Sequence, residues 1–320
     1  MSEKSATRIA LEYWATRSLL AALAALPRPL AVGSGACLGL AAYHLARRLR
    51  RTGERNLELA FPDAAREARQ RVLRRTFINL GRQLGEFSQF FGATPERLRR
   101  YVDFIGIEHF ERAREQGRGV IFLTAHLGAW ELLSFAGAAF GVPQHVIVRR
   151  IDNPRIEALV ESVRTRFGNR TIDKRAAARK ALRVLQQGGT LGVLADLNTQ
   201  PHEGVFVPFF GRLACTTAGV ATLALRTGAV VLPAYAVWEE RAKRYVIRIE
   251  PPVELIRTED FARDVAANTA RFTALIEDLI RRYPDQWLWI HRRWHTRPPG
   301  EPDLYATSSA APFFAARASR

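Results

Sequence analysis

Long apolar runs are scarce in this 320-residue chain, although 48% of its residues are hydrophobic. From Ser18 to Leu26 the sequence is apolar, Pro27-Arg28-Pro29 interrupts it, and Leu30 to Leu45 continues until the cluster Arg47-Arg48-Leu49-Arg50-Arg51. Neither piece reaches the roughly 20 apolar residues that a spanning helix needs. The proline break and the arginine cluster also argue against a secretory signal peptide and for retention on the cytoplasmic side. Two readings fit: a buried helical hairpin, or a helix pair embedded in or lying on a membrane surface, and the second is favoured. Cysteine is scarce as well. Cys37 and Cys215 form no CxxC spacing and have no histidine cluster beside them, which excludes a disulfide framework and fits a reducing compartment. The 7 histidines show no HExxH spacing, so no metal site is expected. Acidic residues are the minority: 31 Asp and Glu stand against 48 Lys and Arg, a net charge of +17. Such a surface attracts phosphates or acidic proteins. Helix-turn-helix, zinc-finger and RNA-binding signatures are all missing, so the charge alone does not make this a nucleic-acid-binding protein.

What is present reads as one large α/β domain with appendages. Asp63 to Gln89 has helical spacing, with Phe77, Leu80, Leu84 and Phe87 along one stripe. Strands are expected at Val120 to Ala125, Gln144 to Arg149, Thr190 to Ala195, Val230 to Trp238 and Tyr245 to Ile249. Helices are expected at Trp130 to Phe140, after the cap-and-proline pair Asn153-Pro154, along Ala178 to Leu185 and from Asp260 to Tyr283. The alternation predicts a mixed or parallel sheet flanked by helices. Residues 1–50 are expected to form membrane-associating helices, 51–298 the α/β domain with its own N-terminal helical part, and 299–320 a mobile tail without periodic pattern.

At the end of the first of these strands stands Thr124-Ala125-His126-Leu127-Gly128-Ala129-Trp130-Glu131, an HxxxxE spacing. On one continuous helix, positions five apart point about 140° away from each other, because each residue turns roughly 100°. His126 must therefore lie in the strand-to-helix junction, with Glu131 on the first helical turn, if the two are to meet. That junction lies beyond the carboxyl end of a strand, where open α/β sheets bind ligands. A neutral imidazole there can take a proton from a hydroxyl while a carboxylate on its other nitrogen fixes the tautomer. The bland alternative is a histidine capping a helix with a glutamate near its positive end.

The surrounding residues decide between them. Arg55-Asn56-Leu57 with Ala60-Phe61-Pro62, the His126 to Glu131 motif, Arg149 ahead of Asn153-Pro154, Asp196, the loop Gly204 to Gly211, Thr216-Thr217 and Thr227-Gly228-Ala229 occur in order. The run Pro284 to Trp294 and Thr296-Arg297-Pro298 closes the series. In these features the chain resembles the lauroyl and myristoyl transferases of bacterial lipid A biosynthesis, within the lysophospholipid acyltransferase superfamily, along nearly its whole length. The resemblance implies a glycerolipid acyltransferase-like fold and transfer of an acyl chain from acyl carrier protein or CoA thioester to a glycolipid hydroxyl. It implies the cytoplasmic face of the inner membrane as the place, with no further cofactor and no nucleic acid.

By the same resemblance His126 is the general base, Glu131 its partner, and Arg164 and Asp196 are further polar positions of the site. Asp196 ends a buried strand, where a carboxylate needs a reason to be; Arg164 flanks an apolar helical stripe and reads equally well as solvated. Arg149 ends a strand on the side of the site and is a candidate for phosphate or oxyanion binding, whereas Arg150 points to the other face. Trp287, Trp289 and Trp294 suit either an acyl channel or the core, and Arg292-Arg293 either lipid phosphates or a surface pair. Asp196-Leu197-Asn198 departs from the acidic, Gln, acidic run common in those enzymes, and His295 stands where Lys is common. Both leave the acceptor open, a lysophospholipid or aminolipid being the alternative.

Overall fold

Four helices open the chain in the computed structural model, which describes residues 5–306. They are α1 (Ala6–Ala24), α2 (Arg28–Leu45), α3 (Arg47–Ala60) and α4 (Arg66–Gln89). The Pro27-Arg28-Pro29 break ends one helix and starts the next, with Pro29 in the first turn of α2, where a missing N–H does no harm. α2 and α4 pack backbone to backbone. Gly35 and Gly39 on α2 face Gly81 and Gly85 on α4, spaced four apart on each helix and so on one face. A Cβ at Gly35 would lie 2.2 Å from the Gly81 carbonyl oxygen, and one at Gly81 would lie 2.0 Å from that of Gly35; any side chain there forces the helices apart. The Arg28–Glu86 ion pair closes one end of this contact. Burial pushes the Glu86 carboxyl above its ordinary value, against the pull of the Arg28 charge.

No single described helix is long and apolar enough to cross a membrane. α2 and α3 together pass by length and composition, but they are bent by 87° where they join. Their outer sides, and that of α1, leave Leu11, Trp14, Leu30, Leu38, Leu45 and Leu49 exposed.

After α5 (Pro95–Leu98) come β1 (Val102–Ile105), α6 (Ile107–Glu115), β2 (Val120–Thr124), α7 (Trp130–Ala139), β3 (His145–Val148) and α8 (Pro154–Arg164). β4 (Arg170–Asp173), α9 (Ala177–Gln186) and β5 (Thr190–Leu194) complete the first alternating half. Then follow β6 (Gly204–Phe209), β7 (Arg212–Thr217), α10 (Gly219–Thr227), β8 (Val230–Glu239), β9 (Arg244–Ile249) and α11 (Phe261–Arg282). Seven strands form one sheet in the order β1-β9-β8-β2-β5-β3-β4. β8, β2, β5, β3 and β4 run parallel, while β9 is antiparallel to β8 and β1 parallel to β9. The mixed sheet is the expected one. β2 lies at its centre and is buried along its whole length, as a strand covered on both faces must be.

One face packs on α3, α4, α9, α10 and α11 through Leu57, Phe77, Leu185, Ala221 and Phe272, joined by Trp287, Trp289 and Trp294. The other face packs on α6, α7 and α8 through Phe110, Phe135 and Val163. The elements named from the sequence are all present within three residues of their expected ends, α4 starting at Arg66 where Asp63 was expected, except that Gly204 to Gly211 is not a loop. It is β6 and the turn of a separate hairpin with β7. The turn carries Phe210 and Gly211 at φ 50° and 71°, the left-handed pair that suits a tight hairpin. The tail is also packed as far as it is described: Leu304 accepts from Arg55 Nε at 2.7 Å, and the Tyr305 hydroxyl binds the buried Asn56. Residues 307–320 of that tail lie outside the described residues.

Candidate active site

Parallel pairing of β2 with β5 sets the site. Thr124 is in register with Leu194, so two residues past each strand end His126 and Asp196 stand side by side. Nδ1 of His126 lies 2.9 Å from Asp196 Oδ1, and the His126 backbone N–H donates to Oδ2 at 2.9 Å. The imidazole side chain is 17% exposed and the carboxylate 0%. The indole N–H of Trp287 donates to the same Oδ2 at 2.8 Å. Burial alone would push the Asp196 carboxyl up, but the His126 charge and these hydrogen bonds outweigh it and hold the group below the usual carboxylate range. With Nδ1 engaged, Nε2 is the ring nitrogen left to face a substrate.

Glu131 does not fill the place expected for it. Its carboxylate is bound by Arg164, with Nε donating at 3.0 Å and Nη2 to the second oxygen. The reason is local geometry. Glu131 lies in the first turn of α7 and Arg164 in the last turn of α8, so each charge opposes the dipole end it sits on, and the α7–α8 packing brings them together. Burial works against the Arg164 cation, yet its hydrogen bond to Glu131 and the charges of Glu131, Glu157 and Glu161 more than offset this. Nη1 of Arg164 is buried and has no hydrogen-bond partner among the described residues.

Arg149 follows β3 and is exposed over 77% of its side chain, paired among the described residues with Asp152 at 3.2 Å. It lies on the rim, two strands away from His126, and does not join the His126–Asp196 pair. Arg150 instead binds Asp173. Arg293 is not a surface charge: it is completely buried, donates to the Cys215 carbonyl at 2.9 Å and to Thr216, and stacks on Phe209. Burial pushes its pKa down to about 10. Trp287, Trp289 and Trp294 are likewise fully buried and belong to the core. Among the described residues no group of three or more His, Cys, Asp or Glu could hold a metal ion.

The residues that spacing does not reveal are those clamping the turn that carries His126. Gly128 N–H donates to the Gln286 carbonyl at 2.9 Å and Leu288 N–H to the His126 carbonyl at 3.1 Å. Asn56, fully buried on α3, donates to the carbonyls of Trp289 and His291. Asn56 belongs to the Arg55-Asn56-Leu57 run of the sequence and shares one face of α3 with Leu59 and Ala60; a polar residue on that apolar stripe is the available signal.

His291 belongs to the same segment. Its Nε2 accepts from the Asn198 N–H at 3.3 Å, and burial pushes its pKa down to about 4, helped by the nearby His126 and Arg293 charges and opposed by Asp196. The unfolded chain therefore takes up this proton near pH 6.5 and the folded one only near pH 4. Stability held above pH 6.5 is lost as pH falls, by about 2 kcal/mol at pH 5. Denaturation curves at pH 7 and pH 5 should show the wild type losing about that much more than His291→Gln; equal losses would mean that His291 is not held neutral.

A buried carboxylate orienting a partly exposed imidazole at the C-terminal edge of a parallel sheet is an arrangement suited to a group-transfer enzyme, able to take up and return a proton. The chain's relatives are of that class. It belongs to the bacterial lipid A biosynthesis acyltransferase family, whose model matches residues 1–296. It is similar to the lipid A biosynthesis lauroyltransferase of Escherichia coli K12, with 30% identity over 92% of this chain and 95% of that one. It is 31% identical to the palmitoleoyltransferase of the same strain over the same shares of each chain. The myristoyltransferase is 25% identical over 86% of this chain and 84% of its own. The protein is an acyltransferase.

Proposed function

We propose that the protein transfers a fatty acyl chain from a thioester, carried by acyl carrier protein or CoA, to a hydroxyl of a lipid A precursor at the cytoplasmic face of the inner membrane. The observation that carries this reading is the His126–Asp196 pair, in a chain whose relatives are named for acyl transfer in lipid A biosynthesis. Nε2 of His126 takes the proton of the acceptor hydroxyl as its oxygen attacks the thioester carbonyl, and Asp196 stabilises the imidazolium that forms. The tetrahedral intermediate collapses to the ester, and the imidazolium returns the proton to the departing thiolate. Every proton is accounted for and no covalent enzyme intermediate is needed. Arg164, held by Glu131 at the start of α7, the helix that follows His126, keeps its side chain partly exposed and suits the oxygen that becomes negative in that intermediate. Arg149, exposed on the rim, suits a phosphate or an acidic carrier.

The exposed Leu11, Trp14, Leu30 and Leu38 of α1 and α2 supply an apolar surface beside the cluster Arg47 to Arg51. Such a surface suits a helix pair lying on an anionic bilayer, and it supports residues 1–50 as the membrane-associating part and 51–298 as the enzyme. Detergent-extracted protein incubated with a lipid A precursor and acyl thioesters, with products read by mass spectrometry, is expected to yield the precursor heavier by one acyl group. Acylation of lysophospholipid or aminolipid in its place, with the precursor untouched, would assign the alternative acceptor.

A further inference from the structure

We infer that Trp287 is a positioning residue for the reaction: its indole N–H fixes the Asp196 carboxylate so that the remaining oxygen is directed at His126. The inference rests on His126 being the base, as proposed above. A carboxylate at 0% exposure has lost its water, and each of its oxygens must be satisfied by the protein. Oδ1 is taken by the His126 ring. Oδ2 receives two donors, the His126 backbone N–H at 2.9 Å and the Trp287 indole at 2.8 Å. The backbone donor is part of the turn that carries His126 itself, so it cannot fix Asp196 independently of that turn. Trp287 is the donor that comes from elsewhere, on a rigid ring buried against Phe209 and Trp289.

Its own chain segment is tied to the same turn. Trp287 bridges Leu127, while the flanking Gln286 and Leu288 bond the backbones of Gly128 and His126. One short stretch of chain thus holds both the base's backbone and the carboxylate that orients the base. Being fully buried, Trp287 has no surface to offer a substrate; it acts through Asp196.

Removing the indole N–H has two separable effects. The carboxylate is less firmly held, so the imidazole is oriented less well and kcat falls. The charge on Oδ2 is also less dispersed, so the imidazolium is favoured and the acid limb of the pH profile moves to higher pH. Trp289 provides the control, because it is equally buried in the same cluster but its indole donates to the Pro284 carbonyl at 2.6 Å.

In Trp287→Phe we expect kcat to fall by roughly tenfold or more, KM for both substrates to stay within about twofold, and the acid limb of kcat/KM to rise by roughly half a unit. Trp289→Phe should leave that limb in place. Should Trp287→Phe fail to fold, benzothienylalanine at position 287 keeps the ring shape, replaces N–H by sulfur, and is expected to give the same shift. An unmoved limb with kcat retained, or an equal shift from Trp289→Phe, overturns the inference. The base assignment is tested separately, since a His126→Ala enzyme that keeps the wild-type profile would overturn that reading itself.

Discussion

Replacing His126 by Ala is expected to lower turnover by roughly 10²–10⁴-fold, the usual contribution of a general base, with folding intact. Asp196→Asn should fall in the same range. The amide keeps the volume and can still accept one hydrogen bond, but it supplies no charge for the imidazolium, and its NH₂ can push the ring toward the wrong tautomer. Because the two side chains share one bond at 2.9 Å, they act as a unit, and the double variant should be little slower than His126→Ala alone. A second cycle, between His126→Ala and Glu131→Gln, probes a pair that the fold does not join, since Glu131 is bound by Arg164. Those losses should be closer to additive. Full additivity of His126 with Asp196, and a shared loss of His126 with Glu131, would return the spacing-based pairing and dismiss the one seen in the fold. Steady-state rates with one acceptor and one thioester, on variants checked for unaltered melting, are the measurement.

Much of this architecture is legible in the sequence, and the places where it is not have physical causes. Five central strands and the main helices announce themselves because β2 and β8 are continuous apolar runs and α11 is strongly amphipathic. β1, β4 and α6 are short, and β1 and β4 are each only partly buried, so their sequences carry little pattern. The β6–β7 hairpin hides because its turn uses Phe210 at positive φ where a glycine or asparagine would have flagged it. The motif marks His126, but spacing pairs it with Glu131, and the neighbour it has in the fold is one that spacing cannot reveal. Partners across parallel strands are set by sheet order and register, here β2 beside β5 with Thr124 level with Leu194. Nothing local in the sequence states that the strand ending at Asp196 is the neighbour. Trp287 and Arg293 are hidden similarly: an indole donor 91 residues from its carboxylate, and an arginine whose burial depends on Phe209 and Thr216 packing round it. The N-terminal helices show the opposite case. Gly35, Gly39, Gly81 and Gly85 lie in plain sight at four-residue spacing, and the close α2–α4 contact that needs them is a consequence.

Arg164→Ala is expected to lower turnover by roughly 10²–10³-fold, the effect typical of removing a donor to a developing oxyanion. A weakened fold would also lower turnover, and the two causes are separable. The Arg164 and Glu131 side chains are 19% and 28% exposed, so removing one leaves a half-buried charge unpaired and weakens the fold, by less than the several kcal/mol of a fully buried pair. Arg164→Lys keeps the charge but loses the two-pronged fit to the carboxylate, and it should recover stability in part while recovering little turnover. The decisive variant replaces both members, Glu131→Gln with Arg164→Met, which leaves no unpaired charge. If the pair only fastens α7 to α8, this double variant regains both melting temperature and turnover. If the Arg164 cation itself serves the reacting oxygen, stability returns and turnover does not. The expected result is the second, because Arg164 is held by Glu131 at the start of the helix that follows His126 and keeps its side chain partly exposed, where a fixed cation stabilises a developing oxyanion.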